Sequence, residues 1–263
     1  MILRSVMRHV RDQNWVAVGI DFLIVVVGVF IGIQVANWND DQADRRLAED
    51  YRLRLIEDLQ KDLSRLRGRE TYYTTVLESV REANRLLQAP SPDPKALVKA
   101  TYRASEVNYD PPTRATWDQI VSSGDIGLLP RDAAGQLAEY FAFDFSREAN
   151  DLLVDSGYRK HVRRLIPIRV QEAIREGCSD IRSETALIVG FVPVCVIDVD
   201  EAELEATANT LQSDPDLRSL LNWHYSHAWS ASINTSGIAI QIDQALEALG
   251  VKKTVAEALG DAP

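Results

Sequence analysis

Histidines and cysteines are the residues here whose type and spacing can do chemistry, and they are few. His224 and His227 stand three apart, so one helical face can present both. Two imidazoles can begin a metal site, but a catalytic zinc wants a third protein ligand and an open position. Asp216, Asp144 and His161 would join them only if the fold brought distant segments together, because no H-E-x-x-H motif supplies the ligands locally. The plainer reading is a polar stripe beside Trp223 and Trp229. No G-x-S-x-G occurs, so a serine nucleophile elbow has no support. Gly124-Asp125-Ile126-Gly127 is too short and too poorly placed for a phosphate loop. The expectation is a protein without a catalytic set and without a cofactor, with His224 and His227 the residues to watch for a metal.

Cys178 and Cys195 lie 17 apart and flank a stretch of little helical character. As a disulfide they would close a loop worth about 3 kcal/mol in the chain-entropy account, and such a bond belongs in an oxidising compartment. Two unpaired buried thiols are the alternative. Arg159, Lys160, Arg163 and Arg164 make a cationic helix face. That face can meet anionic lipid or an acidic neighbour, although a surface salt-bridge network is the simpler reading. The whole chain carries a net charge of −10, from 39 acidic and 29 basic residues. A nucleic-acid backbone would be repelled, so no nucleic-acid partner is expected.

The element that must place all of this is N-terminal. Val16 to Ala36 holds two strongly polar residues, Asp21 and Gln34. A bilayer core about 30 Å thick needs roughly 20 helical residues. Trp15 and Trp38 are 23 positions apart, which in a helix is roughly 35 Å and suits one indole at each membrane interface. Residues 15–38 are therefore expected to span a membrane. Arg4, Arg8 and Arg11 precede the span, and Asp40, Asp41 and Asp44 follow it. The positive-inside rule then places residues 1–14 in the cytoplasm as a basic tail and residues 39–250 in the periplasm, with 251–263 as a C-terminal tail. A cleaved signal peptide is the rival reading, but Gln34-Val35-Ala36 is a poor cleavage site and the span exceeds what a signal needs. Within the span, Gly28 and Gly32 form a small-xxx-small pair that lets a second helix approach closely. Asp21 lies seven residues earlier and projects from the same side. Asp21, Gly28 and Gly32 are thus the candidate interface for a second copy or another membrane protein. The alternative is that Asp21 reaches headgroup water.

The segment Gly19-Ile20-Asp21-Phe22 through Gln34-Val35-Ala36-Asn37-Trp38-Asn39 resembles a widespread bacterial family of uncharacterised single-anchor membrane proteins. Their anchor begins with glycine and an acidic residue and ends Gln-x-x-Asn-Trp-Asn. Asp21 stands where that family usually has glutamate. Thr116-Trp117-Asp118-Gln119-Ile120-Val121-Ser122-Ser123-Gly124-Asp125 is a second, looser similarity. The resemblance implies a membrane anchor and a family, and it brings no activity with it.

Beyond the anchor the pattern is mainly helical. Leu59, Leu66, Tyr73, Val80 and Leu87 repeat every seven residues, with Leu63 and Leu77 on a second seam that Glu70 and Asn84 interrupt. That predicts a long amphipathic helix packed inside an intramolecular bundle rather than a perfect coiled coil. Pro90, Pro92 and Pro94 end it, and Asp93 should cap the next helix with Pro94 at its first position. Leu137 to Leu165 reads as helix. Ala186 to Val199, apolar and β-branched, reads as a small hairpin or a buried irregular loop near 186–199. Asp200 and Glu203 suggest a capping box, and Gly250 should end the last long helix.

The expected fold is thus mainly α: a transmembrane helix followed by an extramembrane helical bundle. The expected function is a non-catalytic binding or assembly module of the bacterial inner membrane, partnered by the bilayer and by a helix at its anchor. A metal-dependent envelope enzyme and a sensor input domain working through a separate transducer are the alternatives.

Overall fold

The computed structural model describes residues 15–142, 145–184 and 188–251. The basic tail 1–14, Phe143, Asp144, Ala186 and the tail from residue 252 lie outside the described residues, as do the side chains of Trp15 and Asp21. The chain divides into two units, residues 1–51 and 52–263.

In the first unit the helix α1 (Trp15–Gln88) has already begun, and it runs through Asp40 and Asp41 without a break. One stretch of this helix is long and apolar enough to cross a membrane, and none of that stretch is buried. Phe22 is 71% exposed and Trp38 64% exposed. The segment is apolar on every face, unlike the one-sided stripe of a helix packed on a core.

The second unit is a helical domain with one small sheet. The α1 residues from Leu55 to Leu87 bury a stripe at three- and four-residue intervals. Leu59, Leu63, Leu66, Tyr73, Leu77, Val80 and Leu87, the heptad positions read from sequence, are all buried. After α1 come α2 (Pro94–Arg103), α3 (Ala115–Ser123), a 3₁₀ turn (Asp125–Leu128), α4 (Arg131–Ala142), α5 (Phe145–Val154), α6 (Gly157–Leu165) and α7 (Ile168–Gly177). Then follow β1 (Asp180–Arg182), β2 (Ile188–Phe191), α8 (Glu201–Ser213) and α9 (Leu217–Ala248). α9 packs on α4, α5 and α6, while α2 packs on α8 and α6.

Local chemistry sets these boundaries. Asp93 Oδ1 accepts from the Ala96 amide at 2.6 Å and Pro94 opens α2, as the sequence predicts. Gly250, at φ 84°, closes α9 in a Schellman motif: its amide donates to Glu247 O and the Val251 amide donates to Leu246 O. Three expectations need correction. The stretch Leu137–Leu165 falls in three helices, and the break before the last is at Ser156, which turns the chain and caps α6 by accepting from the Arg159 amide. Asp200 precedes α8 but its side chain makes no capping bond, so the capping box is absent. The hairpin also starts earlier than 186: Asp180 pairs with Phe191 and Ile181 with Gly190, antiparallel.

A polar ladder on α1 holds the loop between α2 and α3. The Arg69 guanidinium donates to Asp110 O at 2.8 Å, and the Tyr73 hydroxyl donates to Asn108 O at 3.1 Å. Buried Asp62 accepts from the Thr113 amide, the Thr113 hydroxyl and the Tyr140 hydroxyl. The Thr116 hydroxyl donates to Asp58 at 2.6 Å. The Thr116–Asp125 segment is therefore docked by its first residue onto α1.

Candidate functional site

The most chemically unusual place in the domain is a cavity of about 290 Å³ where α1, α2, α6, α7 and β1 meet. α6 presents Arg159 and Arg163, four apart and so on one face. α7 presents Arg175, the chain just after α2 presents Glu106, and β1 presents Asp180 and Arg182. Tyr72 and Tyr102 line the remainder.

Arg182 pairs with Asp180 at 4.0 Å, whereas Arg159, Arg163 and Arg175 are held in place by groups that do not neutralise them. Arg163 sits over the Tyr102 ring, its Cζ 3.4 Å from the centroid, and its Nε donates to Ser105 Oγ at 2.9 Å. Arg175 Nε donates to the Tyr102 hydroxyl at 2.9 Å. Arg159 donates to the Ser105 carbonyl. Behind the wall, Arg103 donates to Cys178 O at 3.3 Å and stacks over Phe191 at 4.5 Å. Fork-shaped cations are thus oriented by hydroxyls, carbonyls and ring faces.

The acid among them is out of its ordinary state. Glu106 Oε2 is buried and has no hydrogen-bond partner among the described residues. Burial pushes the Glu106 carboxyl up to about 7, with the Asp180 charge adding to the rise and Arg163, Arg103 and Arg159 opposing it. Burial likewise raises Asp180 and lowers Arg163, whose charge is further disfavoured by Arg159 and Arg175. Perturbed groups gathered in a cavity make it the candidate site of this domain. What the arrangement can do is bind an oxyanion.

The cationic α6 face read from sequence is in fact divided. Arg159 and Arg163 line the cavity, while Lys160 pairs with Asp155 and Arg164 faces out exposed. Glu106, Arg175 and Asp180 carry no motif and were not legible. The hairpin that supplies Asp180 and Arg182 is tied down by the disulfide between Cys178 and Cys195, whose Cα atoms are 4.5 Å apart. It is tied again by the Val196 amide, which donates to Gly177 O at 3.1 Å.

The other sequence candidates are placed as follows. His224 is fully buried. Its Nε2 is 2.9 Å from the Ala104 carbonyl and its Nδ1 is 2.9 Å from Ser156 Oγ. A carbonyl only accepts, so Nε2 carries the proton and Nδ1 accepts from the serine hydroxyl. Both nitrogens are occupied, and His224 and His227 do not converge on a metal. His227 instead packs edge-on against Trp223 at 5.2 Å. His161 pairs with Asp214, which also accepts from the Leu217 amide at the start of α9. No group of three or more ligating side chains assembles among the described residues. In the anchor, a Cβ added at Gly28 or Gly32 would meet nothing within 4 Å, so the glycine face lies open. No family model, no curated protein and no solved structure matches this chain.

Proposed function

We propose that the chain is a single-pass protein of the bacterial inner membrane whose periplasmic helical domain works as a non-catalytic binding or assembly module. The observation that carries this reading is the apolar stretch near the N-terminus, none of which is buried. The basic residues before it and the acidic ones after it support a cytoplasmic N-terminus. The Cys178–Cys195 bond supports an oxidising side for residues 39–250. The anchor's likeness to bacterial single-anchor proteins points the same way. Tethering confines the domain to the bilayer surface and raises its effective concentration toward other membrane components. An enzyme reading loses its main support with His224, whose ring is consumed by structure. A sensor input domain is favoured by the cavity alone, and partner crosslinking separates it from an assembly module.

The test is topological. Full-length protein should stay in the membrane pellet after alkaline carbonate, and protease added to spheroplasts should digest the domain while intact cells protect it. Release by carbonate, or protection in spheroplasts, would overturn the reading.

A further inference from the structure

The cavity between α2, α6 and α7 holds more positive charge than the protein answers. Arg159, Arg163 and Arg175 converge on it, and the terminal nitrogens of Arg163 and Arg175 make no hydrogen bond to any described residue. Glu106 sits among them with a buried Oε2 that accepts from no described residue. Repulsion within such a cluster is relieved by an anion from outside. A carboxylate takes one guanidinium fork, whereas a tetrahedral dianion can accept from several directions at once. Guanidinium groups arriving from two helices suit the second geometry. The volume of about 290 Å³ leaves room beyond the tetrahedron for a small organic group against Tyr72 and Val107.

We propose that this cavity binds a small soluble phosphomonoester, its dianion seated between Arg159, Arg163 and Arg175. The assignment rests on reading the domain as a binding module and is independent of which side of the membrane it occupies. Glu106 modulates the site. It is faced by Arg103 from α2, Arg159 and Arg163 from α6, Arg175 from α7, Asp180 from β1 and Tyr72 from α1. Protonated, it removes a competing negative charge and gains a hydroxyl that can donate to the ligand.

Calorimetric titration of the detergent-solubilised full chain with inorganic phosphate, sulfate and glycerol 3-phosphate tests this. All three should bind at one site, glycerol 3-phosphate at least as tightly as phosphate. Arg175→Gln should weaken binding by at least about tenfold, and Arg175→Lys should recover part of it, because a point charge lacks the fork. Arg163→Gln should do the same, but Arg163 also stacks on Tyr102, so the less buried Arg175 serves as the decisive variant. Arg164→Gln, on the outer face of α6, should bind as the parent does. Sulfate keeps its charge across neutral pH, so its affinity should rise several-fold from about pH 8 to about pH 6, and Glu106→Gln should flatten that rise. Absence of saturable binding by folded protein, or an Arg175→Gln variant that binds normally, overturns the proposal. Displacement of phosphate by phosphatidylglycerol doped into the micelles would transfer the site to a lipid headgroup and overturn the soluble ligand. A protein that binds phosphate but fails the spheroplast test loses its topology and keeps its site.

Discussion

His224 carries two hydrogen bonds and no charge. Burial, the main cause, lowers its imidazole to about 4. The folded value lies below the unfolded one of about 6.5, so the neutral ring's contribution is complete above about pH 6.5. It is lost as pH falls through about 4, up to about 3 kcal/mol on this group alone. Glu106 runs the other way: its folded value is raised, so its contribution is present below about pH 4.5 and is lost as pH rises through about 7. The two slopes oppose each other between those limits. Denaturant melts of the domain should therefore change little over that range in the parent, while Glu106→Gln should expose a clear loss of stability on acidification. A Glu106→Gln variant as flat as the parent would show that His224 is not held neutral. His224→Ala leaves the Ala104 carbonyl and the Ser156 hydroxyl without their partner, which should cost about 1–3 kcal/mol at neutral pH in the same melts.

Among the elements, the end of α7 is the tightest join. A Cβ on Gly177 would collide with the Val196 carbonyl, and backbone cannot swing aside as a side chain can. Gly177→Ala should destabilise the domain by about 1–3 kcal/mol and loosen the hairpin, read as faster amide exchange over β1 and β2. How far the sequence revealed these elements follows from what each depends on. The α1 stripe was legible because one face of a long helix is buried throughout, and burial writes itself at intervals of three and four. The break at Ser156 was not, because the residues around it suit helix and the turn is stabilised by His224, 68 positions away. The Arg159–Arg163 spacing was visible, but nothing local says that Arg163 turns inward while Arg164 turns out. Glu106 and Asp180 join them only through the packing of α2, α6 and α7, a non-local fact. The docking of Thr116 onto Asp58 joins residues 58 positions apart, which no local pattern announces.

At the scale of the whole molecule, the open face at Gly28 and Gly32 bears on association. Leucine at both positions would fill the groove on which close helix approach depends. The double variant Gly28→Leu with Gly32→Leu should weaken in-membrane association in a reporter assay by roughly 1–2 kcal/mol and leave the domain's melting unchanged. Equal association by parent and variant would remove this face as the interface.

The guanidinium of Arg52 donates to the carbonyl of Leu249 at 2.8 Å, linking residues 197 positions apart. During biosynthesis the hydrophobic stripe of α1 leaves the ribosome before α9, and this clasp must wait for the 197 positions between its partners. At about 5–20 residues per second that delay is roughly 10–40 seconds. Until α9 is made, Tyr72, Tyr73, Val76 and Leu77 lack the Ala228 and Ala231 against which they pack in the folded domain.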